Sequence, residues 1–203
     1  MSSNPYPNRP YPVGELSYKI EEDRWAKCKD LRRLCMLEFG EQEILFDIPR
    51  ILNMGGNYLN LGHAMGGSSI LMARGLEDQN LTGTVHSIDI FEEYKNHFDR
   101  AIATLIDRNA RDKVALYRGY TNDFVETFKE IPVTFLFIDA DHSYEGVKAD
   151  FLNYSPFVVP GGALAFHDTK QEPSHNVIAE YLEGNPNWHQ THHVNRIKVF
   201  KRL

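Results

Sequence analysis

Short apolar runs alternate with stretches of helical spacing along most of the chain. Val133–Ile138 and Gly162–Phe166 are strongly apolar runs bounded by turn residues, the pattern of buried strands, and Asn57–Leu61, Thr84–Ile88 and Val114–Arg118 read as further short strands. Ser68–Leu76, Asn122–Glu130, Tyr144–Tyr154 and a stretch containing Phe98–Ile106 fall between them and read as helices. Strand–helix repetition predicts a parallel sheet with right-handed crossovers. A further helix is expected over His175–Leu182. Beyond it, Trp188–Val194 and Arg196–Lys201 alternate polar and apolar residues around Asn195 and predict an antiparallel closing pair. The expected architecture is an α/β fold: a seven-stranded, mostly parallel sheet with an antiparallel C-terminal strand and helices on both faces.

The N-terminal part reads differently. Residues 1 to about 14 contain four prolines and predict an extended arm, with one domain over 15–203. From Ser17 to about Phe39, Trp25, Cys28, Leu31, Cys35 and Leu37 make an irregular apolar stripe, which predicts one amphipathic helix stopped at Gly40.

A chain of 203 residues suits a single domain with a full core. Its formal charge of -6 argues against a nucleic-acid partner, since phosphate binding needs concentrated Lys and Arg; Lys27–Arg33 is basic but flanked by acids and reads as a solvated helix face. Cys28 and Cys35, two turns apart on the expected helix, are too distant for a disulfide, so both read as reduced thiols of a cytoplasmic protein. No apolar segment approaches a membrane span, and Met1–Pro12 lacks the apolar region of a signal peptide.

Two strand candidates end in His/Asp clusters: Asp139, Asp141 and His142 after Val133–Ile138, and His167 and Asp168 after Gly162–Phe166. The carboxyl ends of neighbouring strands form the ligand rim of an open α/β sheet, so five ionisable groups there predict a site. After the first strand, Leu61-Gly62-His63-Ala64-Met65-Gly66-Gly67-Ser68-Ser69 can bring backbone and a helix N-terminus close to a ligand, or Ser68 or Ser69 can simply cap the helix. The glycine spacing is not that of a dinucleotide fingerprint and disfavours a nicotinamide-dependent oxidoreductase. Asp89 ends the second strand, where an acid can accept both hydroxyls of a ribose. Together the loop and Asp89 point to a nucleoside-type cofactor.

These residues, from about Asn57 to Thr169, resemble the class I S-adenosylmethionine-dependent methyltransferases, Rossmann-like enzymes, and within them the small-molecule O-methyltransferases of the catechol type and their bacterial Asp-x-Asp-His-x-Tyr relatives. The resemblance implies cofactor contacts at Gly62, His63, Ser68, Asp89, Thr121, Asn122 and Asp139, and an adenine-edging loop at Gly119–Asp123. It implies Mg2+ as a candidate metal on Asp139, Asp168 and Thr169, where Thr169 stands in place of the family's Asn. A transition metal bound with His142 and His167 is the alternative. His142 stands where catechol-type enzymes carry a lysine base, and His167 is the second candidate base. Asn60 replaces the family's usual Glu; with Thr169 it favours the competing reading, a non-catalytic S-adenosylmethionine-binding protein. The implied partner is a small-molecule acceptor, with no nucleic acid and no membrane, and a homodimer is a candidate assembly. Acceptor specificity is expected in Met1–Glu43 and Gln171–Asn187. His189, His192 and His193 read as strand and turn residues.

Overall fold

The computed structural model describes residues 19–31, 34–93 and 95–203; the expected arm over residues 1–14 lies outside them. Seven strands, β1 (Gly56–Leu61), β2 (Gly83–Asp89), β3 (Val114–Arg118), β4 (Val133–Ile138), β5 (Val158–Phe166), β6 (Trp188–Val194) and β7 (Ile197–Arg202), form one sheet in the order β3-β2-β1-β4-β5-β7-β6. All pairings from β3 to β5 are parallel, whereas β7 runs antiparallel to both β5 and β6. Among the helices, α3 (Gly67–Asp78) follows β1, α4 (His97–Asp107) follows β2, α5 (Val125–Phe128) follows β3, α6 (Tyr144–Tyr154) follows β4 and α7 (Glu172–Tyr181) follows β5. The chain order reverses between β1 and β4, which places a ligand crevice at their carboxyl ends.

Strand alternation divides the core between the two faces. Phe135 and Phe137 of β4 and Ala163 and Ala165 of β5 belong to one core cluster with Ile70, Leu71 and Met72 of α3, whereas Leu136, Ile138, Leu164 and Phe166 belong to a second with residues of α6 and α7. Both faces are covered, so all six residues of β4 are buried. This explains why β4 reads as a strongly apolar run.

The single helix expected over Ser17–Phe39 is not what forms. The segment holds a short helix α1 (Glu22–Trp25) and a 3-10 segment over Ala26–Leu31; a separate helix, α2 (Phe39–Leu52), then begins one residue before the expected stop at Gly40. Its start is fixed by Glu41, whose carboxylate accepts the Glu38 N–H at 2.7 Å. Glu41, Gln42, Glu43 and Asp47 are all buried in α2, so its core-facing side is partly polar and gives no clean apolar period. Close packing against α3 is set at Gly75, where an added Cβ would lie 3.1 Å from the Phe46 carbonyl carbon and closer still to its oxygen.

Ion pairs hold the N-terminal segment across these two helices. The Arg24 guanidinium bridges buried Asp47 and Asp78 at 2.7 Å each, and Arg74 of α3 pairs with Asp30 at 2.6 Å. This anchoring carries Leu34–Leu37 to the rim of the sheet. Cys28 and Cys35 are both free thiols, and burial pushes each up to about 12.

Candidate active site

A cleft of about 630 Å³ opens at the carboxyl ends of β1, β2, β4 and β5, between the glycine loop, the N-terminal segment Leu34–Leu37 and the two His/Asp clusters. Its volume lies within the range of small-molecule sites. Gly62 has φ +93°, and an added Cβ there would lie 2.7 Å from the Asp139 carbonyl carbon. The β1 and β4 loops therefore touch backbone to backbone, and only glycine allows it.

Asp89 braces the same loop. Its Oδ2 accepts the backbone N–H groups of His63 (2.8 Å) and Ala64 (3.0 Å), and its Oδ1 accepts that of Phe91 at 2.6 Å. Beneath the loop, Asn60 Nδ2 lies within hydrogen-bond distance of Gly62 O (2.8 Å), Ser69 Oγ (2.9 Å) and Ser87 Oγ (3.0 Å). The His63 ring reaches Ser87 Oγ at 2.8 Å. Burial lowers His63 to about 4, so this knot is neutral at physiological pH. Asn60 thus stands as a structural donor under the loop.

Gly62, His63, Ser68, Asp89, Thr121 and Asp139 all line the cleft; Asn122 is not among its lining residues. The Asn122 side-chain oxygen instead accepts from Asn153 of α6 at 2.8 Å. Thr121 is held from below, its carbonyl accepting the Tyr154 hydroxyl and its side chain hydrogen-bonding Asp150.

On the opposite side, Asp139, Asp141, His142, His167 and Asp168 converge as the sequence predicts, and two further residues join them. Glu41, fully buried at the start of α2, approaches His167 Nε2 at 3.3 Å, while His167 Nδ1 lies 2.9 Å from Asp139 Oδ1. Arg196, at the turn between β6 and β7, donates to Asp168 Oδ1 at 2.9 Å. Burial alone would lower the His167 pKa, but its hydrogen bonds to Asp139 and Glu41, and their charges, raise it to about 10. His167 is therefore a locked imidazolium at neutral pH. His142 is the open one: its side chain is 55% exposed, and Nε2 lies 3.6 Å from Asp139 and 3.8 Å from Asp168. The adjacent Asp139 carboxylate, and then Asp168, raise its pKa above the ordinary histidine value against the opposing effect of burial.

Asp139, His142 and Asp168 each offer one ligand atom, all within 4.8 Å of one another. Two carboxylates and an imidazole fit a divalent cation, and the nitrogen donor leans away from strictly oxygen-loving ions. Thr169 is turned elsewhere: it is buried, and its hydroxyl donates to the Arg196 carbonyl at 3.0 Å. Tyr144 of the Asp-x-Asp-His-x-Tyr run also faces away, hydrogen-bonding Glu180 and so tying α6 to α7. Of the two segments expected to shape acceptor specificity, Leu34–Leu37 lies in the first and lines the cleft, whereas no residue of Gln171–Asn187 does. Glu41 and Arg196 carry no motif signal; only the fold reveals them.

Solved structures of similar fold include the O-methyltransferase from Bacillus cereus in complex with SAH, at 19% identity and TM-score 0.65, covering 87% of this chain and 91% of that one. The O-methyltransferase TomG from Streptomyces achromogenes, involved in tomaymycin synthesis and solved with SAM, gives 18% and 0.65, covering 92% of each chain. SAH-bound methyltransferase PaMTH1 from Podospora anserina gives 11% and 0.65, covering 92% of this chain and 90% of its own. At these identities the likeness shows the shared fold. Comparison with curated protein sequences finds no significant match. The sequence profile described as a methyltransferase domain matches residues 59–169, more than half of the chain and the stretch holding both the glycine loop and the His/Asp clusters. The chain belongs to this methyltransferase domain family.

Proposed function

We propose that this protein transfers a methyl group from S-adenosylmethionine to a hydroxyl oxygen of a small molecule. The observation that carries the proposal is the single cleft with a glycine loop and Asp89 on one side and Asp139, His142 and Asp168 on the other. Bound SAM or SAH in neighbours of the same fold supports the choice of donor.

When bound, S-adenosylmethionine supplies an electrophilic sulfonium methyl group. Gly62, His63 and Ser68 offer close backbone approach and the α3 N-terminus, and Asp89 keeps one lone pair, on Oδ1, for a ribose hydroxyl. Thr121 edges the far end of the cleft. Asp139 and Asp168 orient the acceptor hydroxyl. His142 removes its proton, because it lines the cleft with a half-exposed ring whose Nε2 stands beside both aspartates, 3.6 Å from Asp139 and 3.8 Å from Asp168. His167, already protonated and locked between Asp139 and Glu41, serves the geometry instead. A divalent cation such as Mg2+ on Asp139 and Asp168 would lower the acceptor pKa. Much of the acceleration then comes from holding oxygen and methyl carbon in line.

The test is S-adenosylhomocysteine release across a panel of catechols, phenols and aliphatic alcohols, with and without Mg2+, for wild type and His142→Gln. Turnover that His142→Gln lowers by roughly 10²–10⁴-fold supports the assignment. Cofactor binding without turnover by any acceptor would favour the non-catalytic reading.

A further inference from the structure

We propose that Glu41 is a positioning residue of the acceptor subsite, holding His167 against Asp139 and Arg196 against Asp168 so that the two aspartates keep one fixed spacing. The proposal rests on the reading of that subsite given above and adds a residue that lies outside the matched domain.

Glu41 is a carboxylate with no exposed surface, and its two oxygens are fully engaged. Oε2 accepts the Glu38 N–H at 2.7 Å and approaches His167 Nε2 at 3.3 Å; Oε1 accepts the Arg196 N–H at 2.9 Å and lies 3.4 Å from Arg196 Nε. A buried carboxylate is tolerated only when paired in this way, and removing its charge leaves its partners unpaired. Capping α2 requires only the Glu38 contact. The remaining contacts run to His167, which meets Asp139 at 2.9 Å and Asp168 at 3.5 Å, and to Arg196, which meets Asp168 at 2.9 Å.

The geometry resembles a three-part relay of orientation. His167 is pinned at both ring nitrogens, by Glu41 on the buried side and Asp139 at 2.9 Å on the cleft side, so its ring cannot flip. Arg196 is pinned by Glu41 and donates to Asp168 Oδ1 at 2.9 Å. Without Glu41, His167 keeps only contacts on its cleft side, to Asp139 at 2.9 Å and Asp168 at 3.5 Å, and Arg196 keeps Asp168 and the exposed Glu38 at 3.7 Å, so both lose their buried anchor behind the aspartates. Glu41 precedes the matched domain and Arg196 follows it, so chain segments flanking the domain meet behind the two aspartates. Glu41 does not line the cleft; it acts through His167 and Arg196.

The experiment compares wild type with Glu41→Gln, which keeps volume but removes the charge, and with Glu41→Asp, which keeps the charge but shortens the reach. Proton NMR reads the downfield ring N–H signals of His167, assigned by their loss in His167→Asn. Wild type is expected to show two, and both Glu41 variants only the one bonded to Asp139. With catechol as acceptor probe, kcat is expected to fall roughly 10–100-fold in Glu41→Gln, as for other residues that orient a primary ligand. The KM for catechol and calorimetric affinity for S-adenosylmethionine are expected to stay within about threefold. Two unchanged His167 signals in a folded Glu41 variant, or a kcat equal to that of wild type, would overturn the proposal. A wild-type protein that binds no S-adenosylmethionine would sink the methyl-donor reading alone, and the His167 signals would still decide the role of Glu41.

Discussion

Gly62→Ala is the substitution whose outcome the structure determines most tightly. Gly62 has φ +93°, and its missing Cβ would sit 2.7 Å from the Asp139 carbonyl carbon and 3.1 Å from Ala140 Cα, both backbone atoms that cannot swing aside. Two penalties combine. A side chain in the left-handed region costs roughly 1–2 kcal/mol, and forcing an extra carbon into a filled space costs about 1–3 kcal/mol. Gly184→Ala isolates the first penalty, because Gly184 has φ +74° and nothing within 4 Å of its added Cβ. For a domain of this size about 1 kcal/mol lowers Tm by roughly 2–4 °C. Gly62→Ala should therefore melt below wild type by roughly 4–20 °C and below Gly184→Ala by roughly 2–12 °C, by differential scanning calorimetry. It alone should also weaken S-adenosylmethionine binding, since relief of the clash pushes the β1 loop and Asp139 apart. Equal melting temperatures for the two variants would refute the claim that the two loops touch at Gly62.

The remaining expectations concern charge. Asp150 is buried, and burial raises its pKa to about 6; a carboxyl raised above its unfolded value contributes stability at low pH that is lost as pH rises through about 6. Asp150→Asn, which can still accept from Thr121, should thus raise Tm at pH 8 and change it little at pH 4, and equal Tm gains at both pH values would contradict this. If His142 is the base, the acidic limb of kcat/KM should fall above pH 6.5, because the Asp139 carboxylate holds its proton more tightly than usual; an acidic limb below that value would exclude His142. Arg24→Met should lower stability by about 1–3 kcal/mol in urea unfolding, since it takes a cation from both Asp47 and Asp78, whose side chains are buried and also meet Arg50 and Lys27. No loss would mean that the N-terminal segment is held by packing alone.

The sheet was legible because β4, buried on both faces, is a strongly apolar run and because strands and helices alternate along the chain; Val114–Arg118 and Val133–Ile138 match their observed bounds. The strongly apolar runs of β4 and β5 end at Asp139 and His167, so both His/Asp clusters were legible as rim residues of the sheet. The start of the chain was not legible. The stripe from Trp25 to Leu37 belongs to several short pieces that pack on α2 and α3 separately, and α2 hides its period by burying Glu41, Gln42, Glu43 and Asp47. Glu41 and Asp47 are buried because they meet partners distant in sequence: Arg24 for Asp47, His167 and Arg196 for Glu41. Spacing along the chain cannot report such pairings. Asn122 and Thr169 show the same limit, since a side chain at the expected position can still turn to a neighbour on the other side of its loop.

Titration calorimetry with S-adenosylmethionine, on wild type and Asp89→Ala, tests the central claim most directly. One site per chain is expected in wild type, weakened at least tenfold in Asp89→Ala, which removes both the carboxylate facing the cleft and the brace on His63 and Ala64. No binding heat in wild type, or the same affinity in both proteins, would contradict the account.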